Sequence, residues 1–170
     1  MSYYTGYFVE INIKGGLNMK IMKEVTVAIA ISGGKYLTAV NRGGMGEKEN
    51  LLSIHTDAKA IGPWEEFSFE KCDDTHVAIK TGSGKYLSIK SNNNTDPGNA
   101  FPVHTDAVWI REWERFTLCY LENGKYALRT ASGNYVTFVN NGGMSDKHLQ
   151  LSTDATTITP KEKVQVILVP

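Results

Sequence analysis

The sequence carries no surplus of charge. Lysine plus arginine number 18, as do aspartate plus glutamate, so the formal net charge is zero. Nucleic-acid binders usually show a basic excess that releases phosphate counterions, so no nucleic-acid partner is expected. No run of like charge suggests a polybasic tail for a membrane surface. Long apolar runs are missing too. None approaches the ~20 residues needed to span a bilayer, so no membrane span is expected. No basic segment followed by an apolar run stands near Met1, which argues against a signal peptide and for a cytoplasmic location. Cysteine is scarce: Cys72 and Cys119 are the only two, and both are expected as reduced, half-buried thiols.

Signatures of catalysis are also absent. The chain has no His-Glu-x-x-His, no Gly-x-Ser-x-Gly and no phosphate-cradling glycine loop. His55, His76, His104 and His148 fall at no metal-ligand spacing. Neither an enzyme activity, a cofactor nor a metal is expected. With 170 residues the chain suits one domain with a proper core.

What the sequence does contain is one segment written three times. Gly34-Lys35-Tyr36-Leu37 reappears as Gly84-Lys85-Tyr86-Leu87 and Gly133-Asn134-Tyr135-Val136. His55-Thr56-Asp57-Ala58 reappears as His104-Thr105-Asp106-Ala107 and Ser152-Thr153-Asp154-Ala155. Trp64-Glu65-Glu66-Phe67 is matched by Trp113-Glu114-Arg115-Phe116 and Lys161-Glu162-Lys163-Val164. The period is 48 to 50 residues, and a period of that length signals a repeat architecture.

Each copy reads as four strands. Val27-Ala28-Ile29, Val77-Ala78-Ile79 and Tyr126-Ala127-Leu128 alternate as a strand with one face in a core should. A glycine turn follows, at Gly34, Gly84 and Gly133, where a tight hairpin needs positive φ. A Gly- and Asn-rich loop comes next, then a third strand, a Thr-Asp-Ala turn, and a fourth strand beginning at Phe67, Phe116 or Val164. No segment sustains a helical stripe.

These features predict an all-β protein, a single β-trefoil of three four-stranded repeats spanning residues 25–75, 76–124 and 125–170. One copy cannot bury its apolar face alone, so the three share a core. The expected core is Ile29, Leu37, Ile54, Phe67, Ile79, Leu87, Val103, Phe116, Leu128, Val136, Leu151 and Val164. Residues 1–24 lie outside the repeat as an N-terminal extension. There Tyr7, Val9, Ile11 and Ile13 alternate with Phe8, Glu10, Asn12 and Lys14, which predicts an extra strand or hairpin turning at residues 15–18. An arm reaching a second copy would make a homo-oligomer through this segment.

The combination of Gly34-Lys35-Tyr36-Leu37 with Gly62-Pro63-Trp64-Glu65-Glu66-Phe67 resembles the fascin-like β-trefoils, the group that includes fascin and hisactophilin. The run from His76 through Ile89 is similar to a hisactophilin repeat, and Glu162 to Val166 to the last strand of a fascin domain. The resemblance implies a β-trefoil over residues 25–170 and an actin filament as a partner. The chain holds one trefoil where fascin has several.

Read from the residues, two kinds of site stand out. Asp57, Asp106 and Asp154, beside His55 and His104, could accept hydrogen bonds from the hydroxyls of a sugar, as a lectin site requires. The bland alternative is that Thr and Asp cap the turn leading to Trp64 or Trp113. Asn41 and Asn140, in the Gly-Gly-Met loops, offer exposed amides to a glycan or a protein; ordinary loop chemistry is the alternative. Trp64 and Trp113 are expected to pack under the turn and seal the barrel end. Glu65, Glu114 and Glu162 are related by the threefold, so they cannot face one another as glycosidase carboxylates do. The expected function is a non-catalytic binding module, lectin-like, with up to three carbohydrate sites. An actin-filament module is the alternative.

Overall fold

Alternation of apolar and polar residues in short runs broken by glycine turns gives a chain of strands. The computed structural model describes residues 9–13, 17–21, 24–45, 53–89, 103–143 and 150–170. Outside the repeats lie β1 (Val9–Ile13) and β2 (Leu17–Ile21), antiparallel, with Val9 opposite Ile21 and Ile13 opposite Leu17. These two strands of the extension therefore pair as the arms of a hairpin. Leu17 and Asn18, expected in its turn, belong to β2, because five-residue strands pair through to Leu17.

The first repeat holds β3 (Val25–Ile31), β4 (Tyr36–Ala39), β5 (Ile54–Ala58) and β6 (Phe67–Lys71). The second holds β7 (Val77–Lys80), β8 (Tyr86–Ile89), β9 (Val103–Ala107) and β10 (Phe116–Tyr120). The third holds β11 (Lys125–Thr130), β12 (Tyr135–Phe138), β13 (Leu151–Ala155) and β14 (Val164–Leu168). First and fourth strands pair in one ring: β3 with β6, β6 with β7, β7 with β10, β10 with β11, β11 with β14, and β14 with β3. Closure of that ring removes its open edges. The second and third strands form the hairpins β4–β5, β8–β9 and β12–β13, each with a register shift at the same place, after Tyr36, Tyr86 and Tyr135. The fold is a β-trefoil.

All twelve residues expected in the core are buried, in one cluster with Val27, Phe69, Ile89 and Phe138. Where the first two repeats place Phe67 and Phe116, the third has Val164; where the first has Ala39, the third has Phe138. A fully buried side chain of this size contributes ~1.5–3 kcal/mol, so such exchanges keep one core filled without threefold identity of sequence. Residues Leu52, Phe101, Met144 and Leu149, and the loop at 91–99, lie outside the described residues.

The Gly-Gly loops lock neighbouring repeats together. Asn41, Arg42, Gly43 and Gly44 all have positive φ (57°, 63°, 91° and 82°), and so do Asn140, Asn141, Gly142 and Gly143 (56°, 58°, 85° and 78°). Asparagine and glycine tolerate this left-handed backbone best. The loop from the first repeat then pairs with β9 of the second: Gly44 N donates to Thr105 O at 2.8 Å and Thr105 N to Met45 O at 2.9 Å. The loop from the third repeat reaches β5 of the first, Gly143 N donating to Thr56 O at 2.6 Å. A Cβ on Gly43 would sit 2.6 Å from Thr81 Cβ, so the approach of the first repeat to the second needs glycine there.

Candidate functional site

Between the third and fourth strands of every repeat the chain turns on a glutamate. Glu65 Oε2 accepts Gly62 N at 2.9 Å, while its Oε1 accepts the Thr38 hydroxyl at 2.7 Å. Glu114 Oε1 accepts Arg111 N at 3.0 Å, and its Oε2 the Ser88 hydroxyl at 2.5 Å. Glu162 Oε1 accepts both Thr159 N at 2.9 Å and the Thr159 hydroxyl at 2.7 Å. All three carboxylates are buried. Each satisfies a backbone N–H three residues earlier, and in the first two repeats it also ties the turn to the hairpin below.

This arrangement corrects two expectations. Thr-Asp-Ala is not a turn: Thr56, Asp57 and Ala58 complete β5, and their counterparts complete β9 and β13. The capping assigned to those residues belongs to the glutamates. Trp64 and Trp113 do not seal the barrel end either, being 42 % and 40 % exposed. The seat beneath the turn is occupied by the carboxylate, which has donors to meet there, and the neighbouring indole is left outside.

The second repeat departs from the other two in what this frame displays. Val108 and Trp109 occupy positions held by Lys59 and Ala60 in the first repeat and by Thr156 and Thr157 in the third. Trp109 is 67 % exposed and Val108 57 %. Together with Trp113 they wall a cleft of about 420 Å³, whose lining also includes His104, Arg111 and Glu112. Ser88 and Glu114 form part of its floor, already bonded to each other. His104 Nδ1 lies 2.6 Å from Asp106 Oδ1, a contact that orients the imidazole at the cleft wall. The cleft thus offers aromatic faces, an imidazole, a guanidinium and a carboxylate.

The residues expected to form sites are dispersed by the fold. His104 and Asp106 meet at the cleft. His55 and Asp57 hold the equivalent place in the first repeat, where His55 Nε2 is buried with no hydrogen-bond partner among the described residues. Asp154, in the third repeat, is exposed beside Ser152. Asn41 and Asn140 are exposed at the left-handed corners of the Gly-Gly loops, where their backbone conformation accounts for the residue type. Sequence reasoning missed Val108, Trp109, Arg111 and Glu112. The signal was present as a mismatch: a tryptophan at a position where the aligned copies carry alanine and threonine.

Among the described residues no group of three His, Cys, Asp or Glu could hold a metal ion. No helix among them is long and apolar enough to cross a membrane.

No protein-family model matches the chain. No curated protein matches it either. Solved structures do. A designed threefold-symmetric protein, ThreeFoil, is 14 % identical with a TM-score of 0.67, over 86 % of this chain and 99 % of that one. An exo-β-1,3-galactanase from Clostridium thermocellum is 13 % identical with a TM-score of 0.67, over 91 % of this chain and 32 % of that one. The Polyporus squamosus lectin, bound to the influenza-binding epitope Neu5Acα2-6Galβ1-4GlcNAc, is 14 % identical with a TM-score of 0.62, over 86 % of this chain and 50 % of that one. The chain spans about a third of the galactanase and half of the lectin. Identities this low speak for the β-trefoil fold alone; the fascin-like resemblance stands on its sequence motifs.

Proposed function

We propose that the protein is a non-catalytic carbohydrate-binding β-trefoil whose principal site is the Trp109–Trp113 cleft of the second repeat. The observation that carries this reading is the exposure of two indoles around a cleft that also holds hydrogen-bonding groups. A large aromatic surface left in water is the informative exception in a folded protein. Pyranose rings present an apolar C–H face that stacks on indole and a hydroxylated rim that needs a few well-placed polar partners. His104, held by Asp106, and the side chains of Arg111 and Glu112 supply such partners. The volume lies within the ~300–1,000 Å³ of small-ligand sites. Carbohydrate recognition by the trefoil-containing lectin adds support by analogy of fold. The first and third repeats lack the Trp109 equivalent, so the three sites are unequal and the second dominates.

The fascin-like motifs do not favour an actin partner over this. Glu65 of the Trp-Glu-x-Phe motif is buried as a turn cap, and Leu37 of Gly-Lys-Tyr-Leu is in the core. Both motifs therefore specify fold. The test is a glycan array with the native chain, Trp109→Ala and Asp57→Ala. Binding lost in the Trp109 variant and kept in the Asp57 variant supports the reading. An array empty at every density, alongside cosedimentation with actin filaments, would replace it with the filament partner.

A further inference from the structure

We propose that the cleft of the second repeat selects acidic sugars, with the Arg111 guanidinium taking the sugar carboxylate. This rests on the carbohydrate reading of the cleft and specifies its ligand class. The turn frame is the same in all three repeats: the backbone N–H at Gly62, Arg111 and Thr159 is fixed by the glutamate three residues on. Whatever side chain stands there leaves from an anchored backbone. In the first repeat it is absent, and in the third the Thr159 hydroxyl turns back onto Glu162. Only the second repeat places a cation at this position, in the wall that also holds Trp109 and Trp113.

The other arginines are engaged. Arg115 bonds Asp73 Oδ2 at 3.5 Å. Arg129 donates to Gly133 O at 2.9 Å and lies over Tyr135. Arg42 lies along Gly82. The Arg111 guanidinium has no ion pair among the described residues. A planar fork of N–H donors matches a carboxylate bidentately, a geometry that an ammonium cannot reproduce. Glu112, the next residue in the same lining, repels a carboxylate that strays toward it, so acid selection depends on Arg111.

Calorimetric titration with matched pairs tests this: methyl glucoside against methyl glucuronide, methyl galactoside against methyl galacturonide, and lactose against sialyllactose. The native chain should bind the acidic member of at least one pair about tenfold tighter, the size expected of a charge-assisted hydrogen bond. Salt should narrow the gap. Arg111→Gln should abolish the gap between acidic and neutral members, Arg111→Lys should keep only part of it, and Trp109→Ala should weaken both members. Far-UV circular dichroism of each variant confirms the fold. Equal affinity for both members, or a gap that survives in Arg111→Gln, overturns acid selection and leaves carbohydrate binding standing. Failure of every sugar to bind overturns both.

Discussion

Replacing Glu114 should destabilise the protein far more than a turn residue normally does. The carboxylate is buried and holds two donors, the Ser88 hydroxyl at 2.5 Å and Arg111 N at 3.0 Å. Ser88 is fully buried, so it has no recourse to water when its acceptor goes. A buried donor left unsatisfied costs ~1–3 kcal/mol. That penalty applies in full to the Ser88 hydroxyl, while Arg111 N is only part-buried and its loss is that of a cap, ~0.5–2 kcal/mol, so Glu114→Ala comes to roughly 1.5–5 kcal/mol, a large share of the ~5–15 kcal/mol typical of a domain. Glu114→Gln keeps the shape but offers one carbonyl oxygen where two acceptors were used, so about 1–3 kcal/mol is expected. Ser88→Ala removes one of the two donors, and the double variant Ser88→Ala with Glu114→Ala should cost at least ~1 kcal/mol less than the two single costs added. Urea unfolding at constant m-value measures each difference. Glu66→Ala, at the exposed position after the equivalent glutamate Glu65 of the first repeat, is the control and should stay within ~0.5 kcal/mol of native. A Glu114→Ala cost no larger than that of Glu66→Ala, or strict additivity with Ser88→Ala, would refute the assignment of these glutamates as the caps that join turn to hairpin.

Three other outcomes follow from the same structure. Gly34 and Gly43 share left-handed backbone, but a Cβ meets nothing within 4 Å at Gly34 and runs into Thr81 at Gly43. Gly34→Ala should cost about 1–2 kcal/mol from conformation alone, and Gly43→Ala clearly more by thermal unfolding; equal costs would mean that the Gly-Gly loop does not lock repeats. Asp73 is held well below the ordinary carboxylate value of 3.8, first by the Thr75 backbone N–H and then by the His76 side chain. A depressed carboxyl group stabilises the fold above its unfolded value and loses that contribution as pH falls below it. The stability difference between native and Asp73→Asn should therefore shrink on acidification below that point, and a difference that grows there would be the wrong sign. Burial pushes the thiols of Cys72 and Cys119 above their ordinary value of 9.0. Iodoacetamide should alkylate them several-fold more slowly than free cysteine at neutral pH, with mass spectrometry as the readout; equal rates would contradict their burial.

The threefold repeat, the strands and the core were legible in the order of the residues alone. Ile29, Ile79 and Leu128, or Leu37, Leu87 and Val136, sit at matching places in alternating runs, and local periodicity is enough to say which face of a strand is apolar. Once three such faces must share one interior, a closed barrel follows. Glycines at Gly34, Gly84 and Gly133 mark their turns for an equally local reason, the positive φ each adopts. The turns became clear only in the folded chain. Whether Trp113 or Glu114 faces inward depends on donors that come from elsewhere in the chain, Ser88 in the hairpin among them, and sequence spacing does not reveal such partners. The same holds for Trp109. Repetition drew attention to Asp57, Asp106 and Asp154, yet repetition is what a shared scaffold requires of every copy. What distinguishes the cleft is instead Val108, Trp109 and Arg111, which break the symmetry, and their exposure is a property of the folded surface, set by everything packed beneath it.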